Sequence, residues 1–257
     1  MITFRLRCYG IVLLTLSSLV SLAQPADREI VNQSIEWFSV TTNWKVSPRT
    51  SLIVEGQFRQ AEFFQPMQYQ FRTGAEITLN KHFSIVPVGY VYTWNYKYGE
   101  QPTAFKNNEH RVWEQVTYKH SVSRLKLSHR LRFEQRFLQT HTDNGDGHVV
   151  NNGYNMFQKR LRYRFQAVVP LNHAALDPKT WFVSVYDEAF LSWGEGVTFH
   201  EPDQNRLYGG VGYQVAKPLS VQAGMLYHML IKANGAKQEN NVGVQVQVGY
   251  NIDLTHH

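Results

Sequence analysis

The chain contains a single cysteine, Cys8, among its 257 residues. One thiol excludes a disulfide framework, a cysteine-based zinc module and an iron–sulfur site. Charge is also sparse, with Asp, Glu, Lys and Arg making up 18% of the residues. That fraction excludes a disordered polar chain and a basic nucleic-acid tail. No long apolar run occurs beyond Leu22, and mean hydropathy is negative. A bundle of membrane helices is thereby excluded. What the chain has in quantity is aromatic side chains: 14 Tyr, 15 Phe and 6 Trp.

The N-terminal segment indicates the compartment. Met1–Gly10 carries Arg5 and Arg7 and no acid, Ile11–Leu22 is apolar, and Ser21-Leu22-Ala23 precedes Gln24. This order predicts a secretory signal peptide over residues 1–23, cleaved after a small-x-small site. Its apolar stretch is too short to cross roughly 30 Å of hydrocarbon. Residues 24–257 then form one exported domain. Cleavage would remove Arg5 and Arg7 from the 26 basic residues that oppose 20 acids. The small remaining surplus is spread along the chain, so no nucleic-acid partner is expected.

After Gln24 the pattern is period two over long windows. Val242, Val244, Val246, Val248, Tyr250, Ile252 and Leu254 share one face, against Gly243, Gln245, Gln247, Gly249, Asn251 and Asp253. The same alternation runs through Gln68–Leu79, Arg124–Leu138 and Phe157–Val169. Pro48, Pro66, Pro102, Pro170, Pro178, Pro202 and Pro218 fall between such segments, as a hydrogen-bonded ladder requires. Pro87 falls inside one and predicts a bulge or a break.

Alternation does not say which face meets water. A soluble barrel buries the apolar face, and an outer-membrane barrel turns it to lipid. Several windows reach the roughly 9–11 residues that a tilted membrane strand needs. Tyr90, Tyr92, Trp94, Tyr96 and Tyr98 crowd a segment end, as an interfacial girdle does. The expected fold is therefore all-β: a single closed antiparallel transmembrane β-barrel with short periplasmic turns and long outer loops. About eleven strands are clear, and bacterial single-chain barrels have even numbers. A weak strand at Asp27–Gln33 would bring the count to about twelve, with about ten as the alternative.

Several strings carry a family resemblance: Glu109-His110-Arg111 with Glu114-Gln115, Arg130-Leu131-Arg132-Phe133-Glu134-Gln135-Arg136-Phe137, and Arg160-Leu161-Arg162-Tyr163-Arg164. Asp187-Glu188-Ala189-Phe190 and Asn205-Arg206-Leu207-Tyr208-Gly209-Gly210-Val211-Gly212-Tyr213 continue the series. It resembles a family of Gram-negative outer-membrane barrels filed as a domain of unknown function, numbered twenty-four ninety. The resemblance implies an exported β-barrel in contact with outer-membrane lipid, and it brings no activity or catalytic residue. Gln247, Gly249, Ile252 and Leu254 resemble the C-terminal signal read by the barrel-assembly machinery. The chain departs from that signal by ending Thr255-His256-His257 rather than on an aromatic residue.

The arginine-rich polar face carries the main chemical signal. Arg130, Arg132, Glu134 and Arg136 share parity, as do Arg160, Arg162 and Arg164 on the strand expected to follow. Arg72, Glu76, Glu188 and Arg206, together with Glu55 and Arg59, fall on faces that can point into a lumen. Two readings follow. In one, acids and guanidiniums cross-pair into a plug that rigidifies the barrel. In the other, surplus arginines leave a positive lumen that attracts small anionic solutes.

Other motifs are weak. The 11 histidines form no HExxH, and no GxGxxG, Walker A or GxSxG pattern occurs. No cofactor or metal is expected. Asp143-Asn144-Gly145-Asp146-Gly147 lacks the third ligand and the terminal Glu of a calcium loop. Ser128 and His129 are neighbours and point to opposite faces of a strand. The expected function is a small pore or binding barrel, or a structural component of the envelope. The alternative is a barrel enzyme, an acyl hydrolase or transferase with a Ser–His pair at the rim.

Overall fold

Period-two alternation builds strands along the described residues, with local slips where it breaks. The computed structural model describes residues 28–98, 105–144 and 148–255. The expected signal peptide, with Cys8, lies outside them. The elements are β1 (Glu29–Lys45), β2 (Thr50–Ala61), β3 (Gln65–Thr78), β4 (Phe83–Asn95), β5 (Asn107–Val122) and β6 (Leu125–Leu138). A small hairpin of β7 (His141–Asp143) and β8 (Val149–Asn151) sits in the following connection. The wall then continues with β9 (Met156–Pro170), β10 (Thr180–Gly194), β11 (Gln204–Gln214), β12 (Leu219–Ile231) and β13 (Lys237–Asp253).

Eleven strands close into one barrel, in the order β1-β13-β12-β11-β10-β9-β6-β5-β4-β3-β2. This corrects the expectation of about twelve strands, and the alternative of about ten. No glycine or proline interrupts Glu29–Lys45, so of the extra strand expected at Asp27–Gln33, residues Glu29–Gln33 are the start of β1 and Asp27 lies outside the described residues. An odd count also corrects the expected all-antiparallel wall. In an up-and-down chain with an odd number of strands, the first and last run the same way. β1 and β13 therefore pair in parallel, from Glu29↔Lys237 to Lys45↔Asp253.

Parallel ladders are slightly weaker per residue than antiparallel ones, and this one is reinforced by side chains. Gln33 donates to Asn241 Oδ1 at 3.3 Å, Asn43 to Asn251 Oδ1 at 3.0 Å, and Lys45 Nζ to Asp253 Oδ2 at 3.0 Å. Gly243 lies where a Cβ would collide with the backbone carbonyl of Ile35. Only glycine lets the two strands approach so closely there.

The registers are strongly sheared. A walk across the ladders that leaves β1 beside Thr50 returns to it at Asn32. Such displacement is what tilts strands in a closed barrel. Pairing slips between Val86 and Gly89, so Pro87 sits at the predicted irregularity. Pro66 and Pro170 lie within strands rather than between them, Pro66 beside the slip at Arg59/Gln60 and Pro170 as the last residue of β9.

The two faces of the wall differ in kind. Outward side chains are apolar and exposed, such as Phe58 (52%), Trp181 (52%) and Met225 (57%), whereas inward Glu134 is 0% exposed. Outward aromatics gather near both ends of the strands. At the short-turn end Phe83 packs on Tyr118 at 4.8 Å and Trp181 on Tyr213 at 4.7 Å; at the other, Tyr92 meets Trp94 at 4.7 Å and Phe137 meets Phe157 at 5.1 Å. Tyr98 leaves the expected girdle and is buried, donating to Glu239 Oε2 at 3.1 Å. Outward acids interrupt the apolar wall at Glu36, Glu114 and Asp187. Glu114 is exposed on β5, and Asp187 on β10 accepts from Asn205 Nδ2 at 2.7 Å.

Connections at one end are residues 46–49, 79–82, 123–124, 171–179 and 215–218. At the other end lie 62–64, 96–106, 139–155, 195–203 and 232–236. β1 begins at the second end and β13 finishes at the first.

The seam makes the first prediction. Gly243→Ala should lower stability by about 1–3 kcal/mol through overpacking against the β1 backbone. Gly56→Ala, whose Cβ would meet only Phe58 at 4.0 Å, should change it by less than about 0.5 kcal/mol. Urea midpoints of detergent-folded protein measure both. Equal midpoints would contradict the close seam.

Candidate functional site: the charged interior

Inward positions on β5 and β6 carry both glutamate and arginine, β9 carries Arg160, Arg162 and Arg164 in succession, and β10 supplies Glu188, so the registers set like charges side by side. Arg132 faces Arg162 and Arg130 faces Arg164 across β6 and β9, while Arg111 faces Arg136 across β5 and β6. Like charges directly opposite destabilise a sheet. Here carboxylates placed diagonally between them reverse the sign of the local field.

Glu134 accepts from Arg162 Nη1 at 2.6 Å and lies 3.7 Å from Arg111 Nη1. Glu188 accepts from Arg130 Nη2 at 2.6 Å and Arg162 Nη2 at 2.9 Å, with Arg206 Nη1 at 3.9 Å. Glu109 receives Arg111 Nε at 2.6 Å and Arg136 Nε at 2.5 Å. Glu55 receives Arg72 Nη1 at 2.6 Å, and Arg160 Nη2 lies 3.8 Å from Asp203. Glu76 instead accepts from Ser84 Oγ at 2.7 Å.

On the inner wall Arg59, Arg132 and Arg164 neither ion-pair with nor donate to a carboxylate of the described residues. Arg132 donates Nε and Nη2 to Gln115 Oε1, at 3.0 and 2.7 Å, and lies 4.1 Å over the Trp113 ring. Arg164 donates to Gln166 Oε1 at 2.5 Å and lies 4.2 Å over Tyr186. Arg59 donates to Gln57, Gln68 and Gln70 and lies 4.2 Å over Trp37. Cation–π contacts of this kind contribute about 0.5–2 kcal/mol each.

All eleven residues expected in the lumen network thus stand on the inner wall. Sequence reasoning missed Glu109, Arg111, Trp113 and Gln115 of β5 and Trp37 of β1 as partners. Their shared parity on one strand, with Glu114 opposed, was the available signal. Asp203 lies in a connection, where periodicity has no purchase.

Side chains divide the interior. At mid-height Trp37, Trp113, Glu134, Arg162, Glu188 and Phe190 are all buried. The Arg206 guanidinium sits between the Phe190 ring at 4.4 Å and the Trp37 ring at 5.0 Å. Toward the long connections lies a cavity of about 340 Å³, lined by Glu109, Arg136, Arg160, Asp203 and His228 among others. Toward the short turns lie two abutting cavities of about 240 and 230 Å³ that share Thr41, Glu55, Arg72, Arg130 and Arg164. The upper cavity shares only Arg59 and Arg206 with the lower ones.

Loops fold over the upper cavity. Thr198 N and Phe199 N both donate to Ala233 O at 2.9 Å, and Lys232 Nζ lies 2.5 Å from Glu239 Oε1. Burial pushes the Lys232 ammonium below the ordinary lysine range, although Glu239 acts in the opposite sense.

Ser128 lines a lower cavity, while His129 turns outward and bonds Tyr163 Oη at 2.8 Å. His110 is also outward, 2.5 Å from Tyr90 Oη. Among the described residues no group of three His, Cys, Asp or Glu side chains converges as a metal site would need. Of the expected assembly signal, Gln247 and Gly249 share the inward parity of buried Gln245; Ile252 and Leu254 share the opposite face, where Leu254 N bonds Lys45 O at 2.9 Å. Asp143 and Asn144 of the calcium-like string are described, and residues 145–147 lie outside the described set.

The family model for a protein of unknown function, DUF2490, matches residues 36–252, from β1 to the end of β13. The chain belongs to this family. No curated protein and no solved structure matches it. DUF2490 therefore supplies a fold-wide relationship and no activity, and the interior has to be read from its own geometry.

That geometry makes a second prediction. Glu188→Gln leaves Arg130 and Arg162 in the wall without their shared carboxylate, and should cost about 3–5 kcal/mol. Asp253→Asn removes an ion pair with Lys45 whose side chains are 40% and 43% exposed, and should cost less than about 1 kcal/mol. Equal responses would mean that Glu188 is not the hub of a buried network.

Proposed function

We propose that this chain is an exported outer-membrane β-barrel whose apolar wall faces lipid and whose interior is a closed, charge-lined binding compartment rather than an open pore. One observation carries this reading: large apolar side chains lie outside and guanidinium–carboxylate clusters inside, the reverse of a soluble barrel. A closed barrel leaves no unpaired strand edge in hydrocarbon. The aromatic clusters near both strand ends support two membrane interfaces. The short-turn end, where β13 finishes, then faces the periplasm and the long connections face out. The barrel-assembly machinery reads Gln247, Gly249, Ile252 and Leu254. Small anionic solutes are the proposed occupants of the lumen, and the filled mid-section disfavours steady conduction.

Fractionation tests the location. The protein should sediment with outer membranes, need detergent for extraction and migrate faster on gels before boiling than after. Recovery as a soluble periplasmic monomer would overturn the proposal.

Val246 and Gln247 test the assignment of faces. Val246→Arg puts a charge on the lipid side near the middle of β13, at a cost of about 2–4 kcal/mol. Gln247→Glu puts a carboxylate into a cavity lined by Arg130, Arg162 and Arg164. The first variant should fail to assemble and the second should assemble normally. Gln245 is a poorer control, because its Oε1 accepts from Tyr186 Oη at 2.6 Å. In planar bilayers the wild-type barrel should show no stable open level, and a steady ohmic current would contradict the closed interior.

A further inference from the structure

The acids and arginines of the interior are not evenly distributed, and the imbalance is local. In the upper cavity Arg111 and Arg136 share Glu109, and Arg160 has Asp203 and Ser192. The lower cavity of about 240 Å³ is lined by Arg72, Arg130, Arg132, Arg164 and Lys119, against Glu55 and Glu76 alone. Glu55 is held by Arg72, and Glu76 by Ser84. Arg130 leans away to Glu188, which leaves Arg132 and Arg164 with amide and ring partners only.

Unused donors provide a second, independent observation. Arg132 Nη1, Arg72 Nε and Arg130 Nε are buried and have no hydrogen-bond partner, and all three side chains line this cavity. Arg132 and Arg72 are each 4% exposed. A buried cationic donor without an acceptor is costly, and three such donors belong to side chains that line one void. Guanidinium forks match the oxygens of a tetrahedral oxyanion, and charge-assisted bonds to phosphate are about twice as strong as neutral ones. Thr41, Thr117 and Ser128 hydroxyls line the same space. Lys119 and Asn43 place its mouth near the short-turn end.

We propose that this lower cavity is a binding site for a small tetrahedral dianion, inorganic phosphate or the terminal phosphate of a monoester, held by Arg72, Arg130, Arg132 and Arg164. The inference deepens the reading of the interior as a binding compartment. It does not depend on the membrane in which the barrel sits. Fractionation tests that location, and binding to detergent-folded protein tests the site.

Calorimetric titration with sodium phosphate, sodium chloride and glycerol 3-phosphate at fixed ionic strength tests the proposal. Phosphate should bind with saturable heat, at least tenfold more tightly than chloride. Glycerol 3-phosphate should compete if the monoester is accommodated; failure to compete assigns the site to the free ion. Gln166→Glu places a carboxylate against Arg164, satisfies a buried cation and should fold at least as well as wild type. It should weaken phosphate binding at least tenfold. Lys159→Gln, on the outward face of β9, should change phosphate binding less than twofold. Absence of saturable phosphate heat, equal affinity for chloride, or unchanged binding in Gln166→Glu would each overturn the proposal.

Discussion

A guanidinium keeps its charge wherever the chain puts it, so every arginine enclosed by the barrel needs acceptors inside the barrel. The inner wall meets this requirement with few acids, three of them shared between arginines. Glu109 serves Arg111 and Arg136, Glu134 serves Arg162 with Arg111 near it, and Glu188 serves Arg130 and Arg162. Removing charges from water is expensive enough that such clusters contribute little net stability over an apolar filling. Their larger effect is on register. A one-residue slip of β6 or β9 would send Arg132, Glu134 and Arg162 to the apolar outer face and bring Leu131, Phe133 and Leu161 inward. The ion pairs therefore fix both which face is enclosed and how each strand sits beside the next.

Closure imposes the second constraint. Eleven strands cannot close antiparallel, so the parallel β1–β13 ladder is a consequence of count alone. Its long pairing, cross-seam amides and Gly243 compensate for the weaker geometry. The same odd count places the start of β1 at the long-connection end and the finish of β13 at the other. The two ends of the barrel are thus distinct in chain direction as well as in loop length.

Stacking onto Trp37, Trp113 and Tyr186 lets Arg59, Arg132 and Arg164 remain buried without a nearby carboxylate. These rings hold positive charge in place while leaving donor capacity uncommitted. In the lower interior Arg132 and Arg164 are held by amides and rings, whereas loops fold over the mouth of the upper interior. A compartment with rigid walls and spare donors is preorganised for an anion, because no side chain has to abandon a strong partner to receive it.

Alternation along Arg124–Leu138, Phe157–Val169 and Val242–Leu254 was sufficient to read strands, their two faces and the arginine wall, because side-chain direction in a strand is a local property with a period of two. The strings from Glu109 to Tyr213 likewise made the family legible, since they are contiguous in sequence. Local patterns could not give the strand count, because continuity through Gln33–Ser34 depends on pairing with β13 and β2. Nor could they show that Glu188 reaches both Arg130 and Arg162, that Arg132 takes Gln115 rather than an acid, or that Asp203 approaches Arg160 from a loop. Those partnerships depend on the shear of the barrel, which sets residues distant in sequence at the same height. The sequence by itself determined which side chains share a face; only closure of the barrel decided which of them meet.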